Sequence, residues 1–280
     1  MYPQLNFGLF TTGAYTFFTV TALVVAVIGS YWFARRRGFK SADSLWMLFG
    51  MGMAVFIGAR LFNVFVNYAW YRSDPSRIFS LSASGFSLYG GIVFAILAGF
   101  LIARIRKIPL MKFADTVTPF IGIGIVLMRI GCFLNGCCFG KITSLPWGVT
   151  FPKYSPAHMY QISQNPLAVF EVSPVHPTQI YEMIAAVIGT ILALYILSKT
   201  KNARGKHALP DHTGRPAYAD GTAYLAFAIF FSAFRWLNMQ FRVLTYSDAT
   251  LNIWYPLFYA AIIIICALLL IKLNKPKNNR

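Results

Sequence analysis

The chain has 280 residues, of which 57% are hydrophobic and 12% are charged, and its mean hydropathy is +0.58. Soluble domains usually carry about 25% charged residues, so this composition excludes an ordinary water-soluble globular protein. The formal net charge is +17. Because the basic residues lie between long apolar segments, they indicate membrane topology signals rather than a nucleic-acid-binding surface. The sequence therefore predicts a membrane protein with no nucleic-acid partner.

Seven segments are long and apolar enough to cross the hydrocarbon core, which takes about 20 helical residues. In chain order they are 14–33, 45–70, 86–103, 116–133, 180–197, 222–237 and 253–273. Two polar connectors lie between them, 134–178, which is rich in Pro, and 199–219. The pattern predicts an all-α polytopic membrane protein, with residues 1–280 forming a single integral membrane domain of about seven transmembrane helices. We expect an irregular outer loop region over 134–178 and a cytoplasmic loop over 199–219.

Lysine and arginine are divided unequally between the two sets of alternating connectors. One set carries 17 of the 25 basic residues and the other carries five, and the remaining three lie in or at the edge of predicted spans. Cytoplasmic loops are enriched in Lys and Arg. We therefore expect the N-terminus outside and the C-terminus in the cytoplasm, which agrees with an odd number of spans.

Separate segments place polar residues at one predicted depth, the outer half of the membrane, where each ionisable group costs about 2.5–3.5 kcal/mol on the insertion scale. These residues are Arg60, Tyr89, Gly90, Gly91, Arg129, His176, Gln179, Glu182 and Arg235. Guanidinium groups bind phosphate or carboxylate oxygens two at a time, so three arginines at one depth predict a site for an anionic group. The alternatives are snorkelling or pairing with Glu182 for the arginines, and close helix packing for the glycine pair.

The stretch 128–148, MRIGCFLNGCCFGKITSLPWG, combines Arg, Asn, Lys, four Gly and three Cys where the fourth span ends. Glycine lets a backbone fold tightly, and Asn135 offers hydrogen bonds for orienting a ligand, so we predict a functional loop. Cys132, Cys137 and Cys138 leave three interpretations open. The first is structural packing or a disulfide between Cys132 and Cys137. The second is redox or nucleophilic chemistry. The third is metal binding, which the spacing supports least.

These motifs resemble those of the bacterial prolipoprotein diacylglyceryl transferases. Residues 129–140, RIGCFLNGCCFG, are similar to the family's Arg-Ile-Gly-Asn-Phe-x-Asn-Gly-Glu-x-x-Gly loop. Residues 176–182, HPTQIYE, resemble its His-Pro-(Ser/Thr)-Gln-Leu-Tyr-Glu motif. Shorter matches lie at 58–61, 87–91 and 234–242. The resemblance covers most of the chain in order, and it implies the same number and orientation of spans.

The chain departs from the family pattern at positions that bear on the chemistry. The family's His before Gly-Gly is Tyr89 here, the first Asn of the signature loop is Cys132, and its Glu is Cys137. The family His is a candidate base for the acceptor thiol. In this chain Tyr89, His176 or Glu182 would have to take that role.

The resemblance implies a multi-pass transferase of the bacterial cell (inner) membrane that acts in lipoprotein maturation, surrounded by membrane lipids. Such an enzyme moves a diacylglyceryl group from phosphatidylglycerol to the thiol of a lipobox Cys in a preprolipoprotein, and it needs no metal and no cofactor. The implied catalytic residues are Arg129, Arg235, Tyr89, His176 and Glu182. The implied substrate-binding residues are Arg60, Gly90, Gly91, Asn135, Gly136 and Gly140.

Two other classes of protein are open alternatives. One is a membrane thiol–disulfide oxidoreductase that uses Cys132 with Cys137 or Cys138. The other is an anion transporter, for which helices broken at the membrane midplane are expected. Here the Gly and Pro residues gather in the outer connector instead.

Overall fold

The structure is a computed structural model and describes residues 4–6, 8, 11–79, 87–200, 218–244 and 253–275. Most of this part of the chain is helical, and a short antiparallel hairpin lies near its start. The hairpin strands are β1 (Gln4–Asn6) and β2 (Thr11–Gly13). The α-helices are α1 (Ala14–Arg36), α2 (Ser41–Val66), α3 (Tyr68–Arg72), α4 (Leu88–Arg106), α5 (Leu110–Asn135), α6 (Pro156–Gln164), α7 (Thr178–Ser198), α8 (Thr222–Asn238) and α9 (Tyr255–Asn274).

Five of these helices, α1, α2, α5, α7 and α9, are long and apolar enough to cross a membrane. Two shorter apolar helices, α4 with 19 residues and α8 with 17, coincide with the other two predicted segments. Long apolar helices with uncovered surfaces are typical of lipid-facing proteins; α9, for example, keeps Ile264 and Leu268 more than half exposed. The predicted class, a helical polytopic membrane protein, is confirmed.

The chain forms two compact units, Tyr31–Phe113 and the combination of Met1–Ser30 with Ala114–Arg280. In the Tyr31–Phe113 unit, α2 packs closely along α4. Gly58 and Gly90 face each other there, because a Cβ added to either would meet the backbone oxygen of the other. Close backbone approach through small residues is common between membrane helices.

In the other unit, α7 packs against α8, and α8 packs against α9. The start of α8 is fixed by Asp115 of α5, whose carboxylate accepts hydrogen bonds from Gly221 N at 2.7 Å and Tyr224 N at 2.8 Å. A carboxylate at a helix N-terminus satisfies free backbone N–H groups and complements the helix dipole. This contact positions α8, whose opposite end carries Arg235 and Asn238.

The connector 134–178 contains α6, a 3-10 helix over Pro166–Val169, and isolated backbone bridges. Its small apolar core consists of Phe139, Phe151, Ala157 and Val175. Most of the predicted cytoplasmic loop 199–219 lies outside the described residues, since residues 201–217 are not among them.

Candidate active site

Glu182 is the centre of a buried ionic cluster. It is the fifth residue of α7, and only 2% of its side chain is exposed. Glu182 Oε2 lies 2.5 Å from Arg129 Nε and accepts a hydrogen bond from Arg235 Nη1 at 2.9 Å. Glu182 Oε1 accepts hydrogen bonds from Asn238 Nδ2 at 3.1 Å and from Arg242 Nη1 at 3.4 Å. One carboxylate thus holds three guanidinium groups.

Three helices and the segment that follows α8 bring these groups together. Arg129 lies in the last two turns of α5, and Arg235 lies in the last turn of α8. Arg242 follows α8 in a segment whose backbone bridges to Gly140. The convergence of Arg129, Arg235 and Glu182, which the topology predicted, is therefore seen in the structure.

The cluster is cationic, because three guanidinium groups and one carboxylate leave a net charge of +2. The arginine side chains are 7%, 18% and 14% exposed in chain order, so water screens them weakly. An uncompensated buried charge is expensive. The arrangement therefore suits an anionic ligand.

Polar atoms in and beside the cluster have unused hydrogen-bonding capacity. Among the described residues of this cluster and its surroundings, four buried atoms have no hydrogen-bond partner: Arg129 Nε, Gln179 Oε1, Asn238 Oδ1 and Arg242 Nε. Arg129 Nε is close to Glu182, but its N–H does not point along the line to the carboxylate oxygen. Unsatisfied buried polar atoms cost about 1–3 kcal/mol each, so this cluster retains polar groups that its described surroundings do not pair.

The signature loop folds tightly after α5. Cys137 N donates to Cys132 O at 3.1 Å, and both Gly136 and Cys138 have positive φ, +71° and +61°. A left-handed backbone suits Gly136 but costs about 1–2 kcal/mol for a residue with a side chain such as Cys138. In spite of this cost, the left-handed conformation turns the loop back toward α7.

Two polar side chains at the start of α7 hold that loop in place. Thr178 Oγ1 donates to Cys138 O, and Gln179 Nε2 donates to Cys137 O, both at 2.7 Å. Thr178 and Gln179 are both 1% exposed. The His-Pro-Thr-Gln motif therefore connects the loop to the helix that carries Glu182.

The three loop thiols lie together, with their Sγ atoms all within 4.8 Å of one another. All three are free thiols, so the disulfide interpretation does not hold in this structure. Arg129 Nη1 donates to Cys132 Sγ at 3.6 Å. The pKa of the Cys138 thiol lies well below its usual value, because Cys132 and Cys137 hydrogen-bond to its sulfur and Arg242 and Arg129 lie nearby.

The remaining predicted loop residues have defined surroundings. Asn135 ends α5 and lies near the Cys137 thiol. Gly140 N donates to His176 O at 2.9 Å, and a Cβ at Gly140 would lie 2.5 Å from His176 Cβ. His176 Nδ1 pairs with Tyr181 OH at 3.2 Å. Gly140 is thus required for close backbone packing beside His176.

Four predicted site residues belong to the Tyr31–Phe113 unit. There the Arg60 guanidinium donates to the backbone oxygens of Arg77 and Ile78, the second at 2.9 Å through Nε. Gly90 packs against α2, and a Cβ at Gly91 would meet Val55 of the same helix. The side chain of Tyr89 lies outside the described part of the chain.

Three residues that the sequence prediction did not include in the site join the cluster. Arg242 appeared in the sequence only at the end of a motif match, and its guanidinium binds Glu182. Asn238 donates to both Glu182 Oε1 and Thr178 O, and it is 3% exposed. Tyr259 OH of α9 accepts from Arg235 Nε at 3.4 Å. An amide in the last turn of an apolar helix was a usable signal for Asn238. Nothing in the local sequence distinguishes Tyr259 from the many other aromatic residues.

The fold and the site together define a helical membrane protein with a buried cationic cluster that suits an anionic ligand. The family model of the prolipoprotein diacylglyceryl transferases matches residues 4–273, so the chain belongs to that family. This confirms the resemblance seen in the sequence and the expected class, a transferase of lipoprotein biosynthesis.

Curated relatives carry the name phosphatidylglycerol–prolipoprotein diacylglyceryl transferase. The one from Geobacter sulfurreducens is 29% identical over 226 residues, which cover 78% of this chain and 75% of that protein. The one from Nitratidesulfovibrio vulgaris is 32% identical over 186 residues, 64% of each chain. The one from Pseudomonas fluorescens is 28% identical over 207 residues, 71% of this chain and 72% of its own.

Proposed function

We propose that this protein moves a diacylglyceryl group from phosphatidylglycerol to the thiol of a lipobox Cys in preprolipoproteins. Family membership and the names of the relatives support this assignment. The observation that carries it is the Glu182 cluster, in which Arg129, Arg235 and Arg242 converge on one buried carboxylate.

The cluster suits the charge changes of this reaction. The acceptor sulfur loses its proton and forms a C–S bond to the glyceryl CH2 carbon, while the bond from that carbon to the phosphate oxygen breaks. Glycerol phosphate leaves with the electron pair of the broken bond. Arg129 and Arg235 stabilise the negative charge that develops on the phosphate, because donors held in place beforehand in a poorly hydrated site need little reorganisation.

Glu182 acts as a positioning residue for the arginines. It ties Arg129, Arg235 and Arg242 to a single point and neutralises only one of their three charges. Guanidinium groups retain further donors when one is bound to a carboxylate. The remaining donors of Arg129 and Arg242 are therefore available to the donor lipid.

The remaining predicted roles follow from this placement. Asn135 ends α5 and Gly136 follows it, and we assign both to orienting the glycerol head group. Gly140 keeps the loop against His176. His176, hydrogen-bonded to Tyr181, is assigned as a base for the acceptor thiol. Contacts of the lipid with Arg60, Gly90 and Gly91, and a catalytic role of Tyr89, stay predictions.

The proposal includes the membrane topology. Seven spans with the N-terminus outside and the C-terminus in the cytoplasm agree with the excess of Lys and Arg in one set of connectors. This orientation puts the end of α5, the end of α8 and the start of α7 at the outer leaflet of the bacterial inner membrane. The donor lipid then enters sideways from that leaflet.

Complementation of a bacterium depleted of its own transferase tests the function, with mass spectrometry of a lipoprotein N-terminus as readout. The wild-type chain is expected to restore the diacylglyceryl-cysteine. Arg129→Ala is expected to abolish the modification while the protein still reaches the membrane in wild-type amount. Arg104→Ala, which removes an exposed arginine of α4, is the matched control and should behave as wild type. Failure of the wild-type chain to restore the modification would refute the proposed function, and normal modification by Arg129→Ala would refute the role assigned to this arginine.

A further inference from the structure

The loop thiols form a three-sulfur cluster that the transfer reaction described above does not use. Cys132 lies in the last turn of α5, and Cys137 and Cys138 follow in the loop after that helix. Their Sγ atoms all lie within 4.8 Å of one another, although nothing in a packing role requires three sulfurs to point at one place. Three convergent free thiols are a ligand set for a thiophilic metal ion.

The spacing of the sulfurs matches a single metal ion. With Zn–S bonds of about 2.3 Å, three thiolates around one zinc ion are about 4 Å apart. The observed upper limit of 4.8 Å requires only small side-chain adjustments. A disulfide needs about 2.05 Å between two sulfurs and would leave the third thiol without a partner.

The backbone that carries the thiols is held independently of any metal. Gln179 and Thr178 bind the carbonyl oxygens of Cys137 and Cys138, and Cys137 N binds Cys132 O. Such contacts to the ligand-bearing backbone orient ligands and strengthen metal binding. The loop also accepts a left-handed conformation at Cys138, which turns this residue back toward the other two.

Cationic side chains lie beside the thiol cluster. Arg129 Nη1 donates to Cys132 Sγ at 3.6 Å, and the guanidinium groups of the Glu182 cluster carry a net positive charge. Thiolate, not thiol, is the metal ligand, and neighbouring cations stabilise it. Three thiolates and one Zn²⁺ together carry a single negative charge, which adjacent arginines can balance.

We propose that Cys132, Cys137 and Cys138 form a Zn²⁺ site with three thiolate ligands. Among the described residues the ligand group contains these three donors, so the fourth position of a tetrahedral zinc ion is left to water or to an incoming thiol. The proposal concerns metal binding and does not depend on lipid transfer.

Metal analysis of the full chain, purified in detergent without chelator, tests the site. Wild type and Cys266→Ser, which changes the fourth cysteine in α9, are expected to contain one zinc ion per chain. Cys132→Ser, Cys137→Ser and Cys138→Ser should each lower the affinity for added Zn²⁺ more than about 100-fold, since loss of a contact that only orients a ligand costs about 10–100-fold. Unchanged zinc content in these variants, or a disulfide within the trio of the purified protein, overturns the proposal.

A second measurement guards against variants that fail to fold. Cobalt(II) bound to the wild-type chain should give sulfur-to-cobalt charge-transfer absorption. Cys137→His keeps a ligand and is expected to bind one cobalt ion with weaker charge-transfer absorption. If the wild-type chain with cobalt shows no such absorption, the proposed site is overturned. Because neither measurement uses a lipid, a zinc-containing chain that fails in complementation would refute the proposed function alone.

Discussion

The carboxylate of Glu182 holds the cationic cluster together, so Glu182→Gln is expected to lower the stability of the protein strongly. Both carboxylate oxygens are in use, Oε2 by Arg129 and Arg235 and Oε1 by Asn238 and Arg242. Glutamine keeps one acceptor oxygen and turns an N–H2 group toward two of these donors. At about 1.5–3 kcal/mol for each hydrogen bond to a charged group, losing two costs about 3–6 kcal/mol. This agrees with the roughly 3–5 kcal/mol typical of breaking a buried ion pair.

Thermal unfolding of the detergent-solubilised chain measures this effect. At about 2–4 °C per kcal/mol for larger domains, the midpoint should fall by roughly 6–24 °C. Glu171→Gln, which changes an exposed carboxylate in the outer connector, serves as the control and should stay within about 2 °C of wild type, which corresponds to about 0.5 kcal/mol. An unchanged midpoint in Glu182→Gln would show that the carboxylate does not bind the arginines together.

Two further substitutions address positioning and packing. Arg235→Lys keeps the charge but loses the planar fork that reaches both Glu182 and Tyr259. Diacylglyceryl transfer should fall about 10²-fold, the usual loss for one oriented donor, and transfer at the wild-type rate would contradict this role. The melting midpoint should fall less than in Glu182→Gln, because a lysine ammonium can still pair with the Glu182 carboxylate. Gly140→Ala places a Cβ 2.7 Å from Phe241 O and should destabilise the chain by about 1–3 kcal/mol, measured by thermal unfolding. Gly52→Ala, where a Cβ would meet nothing within 4 Å, is its control, and equal midpoints for the two variants would argue against the close packing at Gly140.

The long helices were predictable because each coincides with a long apolar segment, and the membrane allows few other backbone structures. The short helix α6 in the connector was not predicted. A shared depth for the helix ends that carry the cluster follows from the predicted alternating topology and stays a prediction. Sequence and topology predicted that Arg129, Arg235 and Glu182 share one depth, with pairing to Glu182 as an alternative to an anion site. The structure shows the pairing itself.

Rotation of each helix about its axis was not predictable. Whether Asn238 faces Glu182, or Tyr259 faces Arg235, depends on the angle at which helices pack, and apolar residues surround most transmembrane helices without marking one face. The link from Gln179 to the Cys137 carbonyl and the convergence of the thiols depend on loop geometry. Of the three interpretations of the cysteines, the spacing supported metal binding least, because Cys132 and Cys137 do not form a Cys-x-x-Cys motif. In the structure a turn after α5 brings the thiols together.

The charge of the cluster bears on which state of the reaction it stabilises. The phosphodiester of phosphatidylglycerol carries one negative charge, whereas a phosphate monoester carries about −1.5 to −2 near neutral pH. The three arginines and Glu182 together carry a net charge of +2, so in the proposed reaction they complement the leaving glycerol phosphate better than the intact lipid. Binding that strengthens as the bond to carbon breaks lowers the barrier, whereas equal binding of substrate and transition state does not. The single carboxylate therefore leaves two positive charges for the phosphate to meet as it departs.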